Sequence, residues 1–437
     1  MQEKISLFWH RRDLRIADNA GLYRALHNSN KVQPLFIFDK NILDKLDDKT
    51  DARVTFIHQT ITNLKLAYQQ YGSDLAVYYG DPLTIFAQLL TTYNIANVYT
   101  NTDYESYGIN RDAAITQLLA SHYINFKSYK DQVIFEQLEV TKDDGLPYTV
   151  YTPYSRKWKA KLTPYYYKPY PTIQYCTNLV AAKPTALQSL QSMGFAESAL
   201  VYPTDQLDIN IAKNYTQQRD IPSINGTSRL GLHLRFGTIS IRQLVQQAIG
   251  LNETYLNELI WRDFYHQITY NYPHINEGIS FKKQYDAIEW RHSEADYNSW
   301  CKGLTGYPIV DAGMRELNAT GFMHNRVRMI TASFLIKHLL IDWRLGEAYF
   351  AKKLLDFDFA ANNGGWQWAS SSGCDAAPYF RIFNPYLQTK KFDPELKYIK
   401  KWVPEFEDFT KYPQPIVNHE FARQRCLDAY SKALKQT

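Results

Sequence analysis

The chain has 437 residues, 45% hydrophobic and 21% charged, with a net charge of +5. That is the profile of a globular protein of two or three domains, and its mild basic excess permits a phosphate-bearing partner without requiring one. Four scattered cysteines (Cys176, Cys301, Cys374, Cys426) and the lack of any apolar run near ~18–20 residues argue against a zinc site, a disulfide framework and a membrane span.

The first 130 residues alternate short apolar runs with helical periodicity. Residues 5–10, 34–39, 75–79, 97–101 and 124–129 read as buried strands, and 52–71, 82–93 and 110–122 as helices between them. That rhythm predicts a parallel α/β sheet covered on both faces. No G-x-G-x-x-G follows the first strand, so any ligand here is held at the carboxyl ends of the strands by other means. Residues 131–195 read as an interdomain connector. Pro147, Pro153, Pro164, Pro169 and Pro171 interleave with Tyr148, Tyr151, Tyr154, Trp158, Tyr165, Tyr166, Tyr167 and Tyr170, a density that predicts a connection anchored by aromatics and no long helix. From about Asn178 the pattern is helical, with segments at 241–249, 254–270, 307–319, 325–343 and 345–355, and an all-α domain is expected over 196–437.

Several clusters in the helical half carry chemistry. In Asn362-Asn363-Gly364-Gly365-Trp366-Gln367-Trp368 two glycines allow close backbone approach to something flat and polar, and two indoles offer π surfaces in different directions. Asp356 and Asp358 lie just upstream. Glu258, Trp261, Arg262 and Tyr265 fall at i, i+3, i+4 and i+7, one helix face with a carboxylate, an indole, a guanidinium and a phenol. This is either a solvated face or a pocket wall. Arg326 and Arg328 point in different directions on a helix, so one can hold an internal carboxylate while the other faces a phosphate. Gly226-Thr227-Ser228-Arg229-Leu230-Gly231 precedes a helical run and reads either as an N-cap or as a pyrophosphate cradle. Trp290, Trp343 and Trp366 are packing residues or an electron relay.

Taken together, the segments from Phe8-Trp-His-Arg-Arg-Asp-Leu-Arg15 through Thr305–Arg315, His324–Met329 and Ala360–Trp368 to Asp375–Arg381 and Asn384-Pro385 resemble the photolyase/cryptochrome flavoprotein family, in particular its bacterial class I dimer photolyases. The resemblance implies a Rossmann-like parallel α/β domain, a long connector and a C-terminal all-helical domain holding FAD. It assigns Tyr215, Thr227, Ser228, Arg229, Leu230, Gly231 and Tyr255 to the phosphate side of FAD. Asp356, Asp358 and Arg328 go to the flavin side, and Asn362 to the position beside flavin N5. Gly231 replaces an expected serine.

For the substrate, the resemblance implies a flipped pyrimidine dimer in DNA gripped by Trp261 and Trp368. Glu258, Asn325 and Met329 are expected near it, Arg262 and Tyr265 on the pocket wall, and Arg219, Arg326 and Arg381 on DNA phosphate or the lesion edge. Trp366, Trp343 and Trp290 map in that order onto a photoreduction chain. The implied activity is light-driven splitting of cyclobutane pyrimidine dimers by a deoxyribodipyrimidine photo-lyase. A blue-light photoreceptor is the main rival, and Asn362 argues against it because plant-type cryptochromes carry an aspartate there. A six-four photolyase would place a second histidine near His324, where Asn325 stands. Gly108 replaces the acid of folate-binding members, which leaves deazaflavin, another flavin or no antenna open as the second chromophore. With no signal sequence in Met1–Ser6 and no long tail after Asn384-Pro385, a cytoplasmic monomer with no membrane or obligate protein partner is expected.

Overall fold

The computed structural model describes residues 3–435; Met1, Gln2, Gln436 and Thr437, which carry the start of the signal-sequence reading and the outer limits of the expected domains, lie outside the described residues. The chain forms two compact units. One gathers the residues up to Glu136 with Leu162–Gln206 and Leu230–Gln247, and the other gathers Gln137–Lys161, Leu207–Arg229 and everything from Ala248.

The first unit is built on five strands, β1 (Lys4–His10), β2 (Val32–Asp39), β3 (Ala76–Gly80), β4 (Asn94–Asn101) and β5 (Asn125–Tyr129), in the order β3-β2-β1-β4-β5. Every pairing is parallel. β2 is buried along its whole length and β1 nearly so, because a parallel sheet carries packing on both faces. Alternate side chains of one strand therefore serve two cores. Phe8, Phe36, Phe38 and Tyr99 enter one, and Leu7, Trp9, Leu35, Ile37 and Val98 the other. Asn19, Asp51 and Asp81 start the helices Ala20–Asn28, Ala52–Gln69 and Pro82–Thr92, each side chain accepting a backbone N–H of the first turn.

The expected connector is shared between the two units. Residues Tyr151–Lys161 form an eleven-residue helix despite Pro153, which falls in the first turn where its missing N–H costs nothing. Tyr154 and Trp158 bury this helix in the second unit, with Trp158 Nε1 donating to Asp263 at 3.0 Å. Cys176, Leu179, Leu190, Met193 and Phe195 instead pack into a core of the first unit. The stretch 179–207 is largely irregular, so continuous helix does not begin at Asn178 as its periodicity suggests.

The helical unit contains the anticipated helices Glu253–Asn271 and Pro308–Thr320, whereas the first seven residues of the anticipated helix Ile241–Leu251 cluster with the first unit. The helix expected over 325–343 is broken. Asn325–Ser333 runs into a π-helical turn, Phe334–His338, then Leu340 adopts φ +52 and Asp342 caps a new helix, Trp343–Lys353. His338-Leu-Leu-Ile-Asp contains neither Gly nor Pro and keeps the apolar period, so the pattern hides the break.

Candidate functional site

The helix Phe359–Ser370 is the hub of the second unit. It packs against Glu253–Asn271, Asn325–Ser333 and Trp343–Lys353, and Asp358 caps its start. A side chain at Gly364 would run into the Tyr265 ring. That glycine admits a neighbouring aromatic of the protein itself, where a flat ligand was expected. Gly365 faces open space. One turn earlier, Asn362 Nδ2 donates to Glu347 Oε1 at 2.9 Å and to the Glu347 carbonyl at 3.2 Å. Burial raises the Glu347 carboxyl above its ordinary range, against the lowering effect of this hydrogen bond. Glu347 carries no sequence signal: fifteen residues separate it from Asn362, and the pair forms only through helix packing.

Arg328 donates to both oxygens of Asp356, at 2.8 and 3.1 Å, and to the Met323 carbonyl at 2.7 Å. A carboxylate held on both oxygens by a planar guanidinium is fixed in orientation as well as charge. Asp358 lies 3.7 Å from His266 Nε2. The Tyr255 hydroxyl donates to Ser228 Oγ at 3.1 Å, and Tyr215 meets the Tyr255 ring edge-on at 5.2 Å. Thr227 is half-buried beside Ser228, and Arg229 turns the backbone at φ +53 with its guanidinium over Phe322. Leu230 and Gly231 open the six-residue helix Gly231–Phe236, which clusters with the first unit and has no side-chain cap, so Thr227 and Ser228 are not spent on capping it.

Trp261 stacks face to face on Tyr151, 3.6 Å between centroids and 4° between planes, with Tyr265 beside it at 5.5 Å. One face of this indole is therefore already occupied. Glu258, on the same helix, is ion-paired with Arg219. Burial raises the Glu258 carboxyl, and the Arg219 charge opposes that rise. Arg326 donates to Asp220 at 2.7 Å, approaches Met329 Sδ at 3.5 Å and covers the Phe392 ring. Two of the arginines expected on DNA phosphate thus hold carboxylates, and of the three Arg381 is the exposed one. Asn325 is exposed, and Arg262 and Trp368 are half-buried, Trp368 lying 6.4 Å from Phe383. His324 caps the helix Asn325–Ser333, and burial pushes it to about 4, so it is neutral at pH 7. The sequence marks Tyr151 only as an anchoring aromatic of the connector and gives no sign of Asp220, because each acts through a partner distant in the chain.

Trp366 and Trp343 are both 2% exposed and belong to one aromatic core, with Trp290 packed at its edge.

In the first unit, the carboxyl ends of β1 and β4 meet where the strand order reverses, the place where open α/β sheets hold ligands. Trp9 lies there between Arg11 and Arg111. A side chain at Gly108 would collide with the carboxylate of Asp103. Burial disfavours the Asp103 charge, yet Arg12, Arg11, Arg111 and Arg235 hold it at about 2. The acid that folate-binding members carry at 108 would have to displace it.

A family model described as the FAD binding domain of DNA photolyase matches residues 255–411, and one described as DNA photolyase matches 6–174. The deoxyribodipyrimidine photo-lyase of Halobacterium salinarum is 36% identical over 98% of this chain and 99% of its own length. A class III photolyase from Agrobacterium tumefaciens superimposes with a TM-score of 0.87 at 32% identity, over 100% of this chain and 99% of that one. An archaeal photolyase from Sulfolobus tokodaii, solved with two FAD molecules, gives 0.81 at 33%, over 98% and 100%.

The residues fit FAD. Hydroxyls (Thr227, Ser228, Tyr255) and a left-handed backbone turn suit a pyrophosphate, and the Arg328–Asp356 pair, Asp358 and an amide held from behind suit a polar ring system. The chain belongs to the DNA photolyase family.

Proposed function

We propose that this protein repairs cyclobutane pyrimidine dimers in DNA, driven by light, with FAD as the cofactor of its helical unit. The observation that carries the reading is the pairing of a braced indole, Trp261 on Tyr151, with a fixed amide, Asn362 on Glu347, on two helices packed against one another. One gives a flipped base a rigid stacking surface, and the other gives a flavin a neutral polar neighbour.

A dimer weakens its own stacking and pairing, so extruding it costs less than flipping an intact base. Trp261 and Trp368 grip it, Glu258 and Asn325 reach its polar edge, and Met329 fills the apolar side. Arg262 and Tyr265 complete the wall, while Arg219, Arg326 and Arg381 face the strand. Tyr215, Thr227–Gly231, Tyr255, Arg328, Asp356 and Asp358 hold the cofactor. When bound, reduced FAD supplies an electron on illumination and recovers it after the cyclobutane bonds open, so net redox change is zero. Trp366, Trp343 and Trp290 return the cofactor to its reduced state.

Asp103 fills the space beside Gly108 where folate-binding members carry an acid, which leaves a deazaflavin, another flavin or no antenna as the second chromophore. The protein acts as a cytoplasmic monomer on DNA; among the described residues no helix is long and apolar enough to cross a membrane.

Two measurements test this reading. Under mild illumination with a thiol donor the flavin should become fully reduced, whereas a photoreceptor stops one electron short. In competition binding, a duplex with a cyclobutane dimer should outcompete undamaged and six-four duplexes. Preference for the six-four duplex would transfer the protein to that lesion class.

A further inference from the structure

Trp366 meets two rings that lie outside the expected relay. Phe350 meets it edge-on at 5.0 Å, and Trp300 lies 6.1 Å away at 75°. Trp300 is fully buried, stacks on Phe350 at 6.0 Å and 11°, and meets Tyr349 edge-on at 5.7 Å. Tyr349 is half-buried, and its hydroxyl donates to the side chain of exposed Asn318 at 2.7 Å. An unbroken path of ring contacts therefore runs from Trp366 through Trp300 to a phenol at the surface. Gly346 makes the approach possible, because a side chain there would strike the Trp366 ring. Gly346, Tyr349 and Phe350 share one helix face at i, i+3 and i+4.

Electrostatics favour this path as well. Trp300 Nε1 donates to the Thr331 carbonyl at 3.1 Å, which steadies positive charge on the indole. Among the described residues no lysine or arginine covers its ring. The Arg344 guanidinium lies 4.9 Å over Trp343 and disfavours a positive charge there, although Asp342 and Asp286 offset part of that effect.

We propose that Trp300 and Tyr349 form a second branch of the electron-donating chain, parallel to Trp343 and Trp290. The proposal rests on the reading of this protein as a flavin photoenzyme. When Trp366 has given an electron to the excited oxidised flavin, Trp300 passes one electron to the Trp366 radical cation and becomes a radical cation itself. Tyr349 then gives an electron to Trp300 while its phenolic proton leaves to water beside Asn318, and a neutral tyrosyl radical remains. An external thiol supplies a hydrogen atom to that radical and restores the phenol, so each passage delivers one electron to the flavin. Tyr349 is the nearer terminus, its ring 5.7 Å from Trp300 against 6.2 Å for Tyr297, and the Tyr349 hydroxyl also donates to the Cys301 carbonyl at 3.1 Å.

The test uses the full chain with FAD bound and excess thiol, comparing the native protein with Trp343→Phe, Trp343→Phe/Trp300→Phe and Trp343→Phe/Tyr349→Phe. Flavin absorbance gives the photoreduction rate, and electron paramagnetic resonance under illumination gives the radical. Trp343→Phe should keep measurable photoreduction and show a tyrosyl radical. Adding Tyr349→Phe should remove that radical and slow photoreduction by a further factor of about ten, ~1.4 kcal/mol in barrier. Equal rates in Trp343→Phe and both double variants, or complete loss in Trp343→Phe alone, would overturn the branch. If the Trp300 variant does not fold, the Tyr349 variant at the surface decides the matter alone. Failure of the underlying reading looks different: the native protein would then neither bind FAD nor photoreduce it.

Discussion

The side-chain amide of Asn362 is tied to the carboxylate of Glu347 at 2.9 Å and to its backbone carbonyl at 3.2 Å. With the NH2 group committed to Glu347, the amide oxygen is what Asn362 presents on its other side. Removing Glu347 frees the amide to rotate. Glu347→Ala should retain FAD yet lower dimer repair between about tenfold and a hundredfold, the cost of loosening a group at a reacting centre. Single-turnover repair by the reduced protein checks this, and an unchanged rate would mean that Asn362 needs no support.

Stacking at Trp261 and Trp368 should dominate recognition. Trp261→Ala together with Trp368→Ala should weaken binding of a dimer-containing duplex by about 1–3 kcal/mol per base and leave FAD content intact. Titration with a fluorescent duplex measures it. Unchanged affinity would remove both residues from the pocket.

Two glycines predict opposite stability effects. Gly346→Ala drives a methyl group into the Trp366 ring and should cost about 1–3 kcal/mol. Gly365→Ala meets open space inside a helix and should gain about 0.5–1 kcal/mol. Urea denaturation of both variants beside the native protein reads the two signs.

Lys337 gives a pH signature. It is 1% exposed, lies 3.7 Å over the Tyr430 ring and donates to Ser371 Oγ at 3.0 Å. Burial lowers it to about 8, with Cys426 working weakly against that. Between pH 8 and the unfolded value near 10.4, the unfolded chain holds a proton that the folded chain has released, so stability from this group rises with pH. The stability of the native protein relative to Lys337→Met should therefore grow by up to about 3 kcal/mol from pH 7.5 to 10.5. Other titrations in that range occur in both proteins and cancel in the difference. A flat difference would mean that Lys337 keeps its ordinary proton affinity.

The sheet was legible because five apolar runs, each ending in turn or cap residues, leave little choice of element. Asp51 and Asp81 announce their helices by the same chemistry that caps them. The break at Leu340 was not legible, since a buried residue at positive φ flanked by apolar neighbours leaves no mark in periodicity. Within the site, two arginines pointing apart on one helix allowed one of them to hold an internal carboxylate, and the choice of Arg328 and Asp356 came from the family resemblance. Glu347 behind Asn362, Tyr151 behind Trp261 and Asp220 on Arg326 did not, because each is a tertiary partner brought in by packing. Gly364 was read as room for a ligand and proves to be room for Tyr265.

The purified, chemically reduced protein should be mixed with an oligonucleotide carrying one thymine dimer and illuminated with near-ultraviolet or blue light, with a dark control. Light-driven dimer repair requires recovery of thymine absorbance in the light and none in the dark. No recovery from a preparation that holds reduced FAD would contradict it.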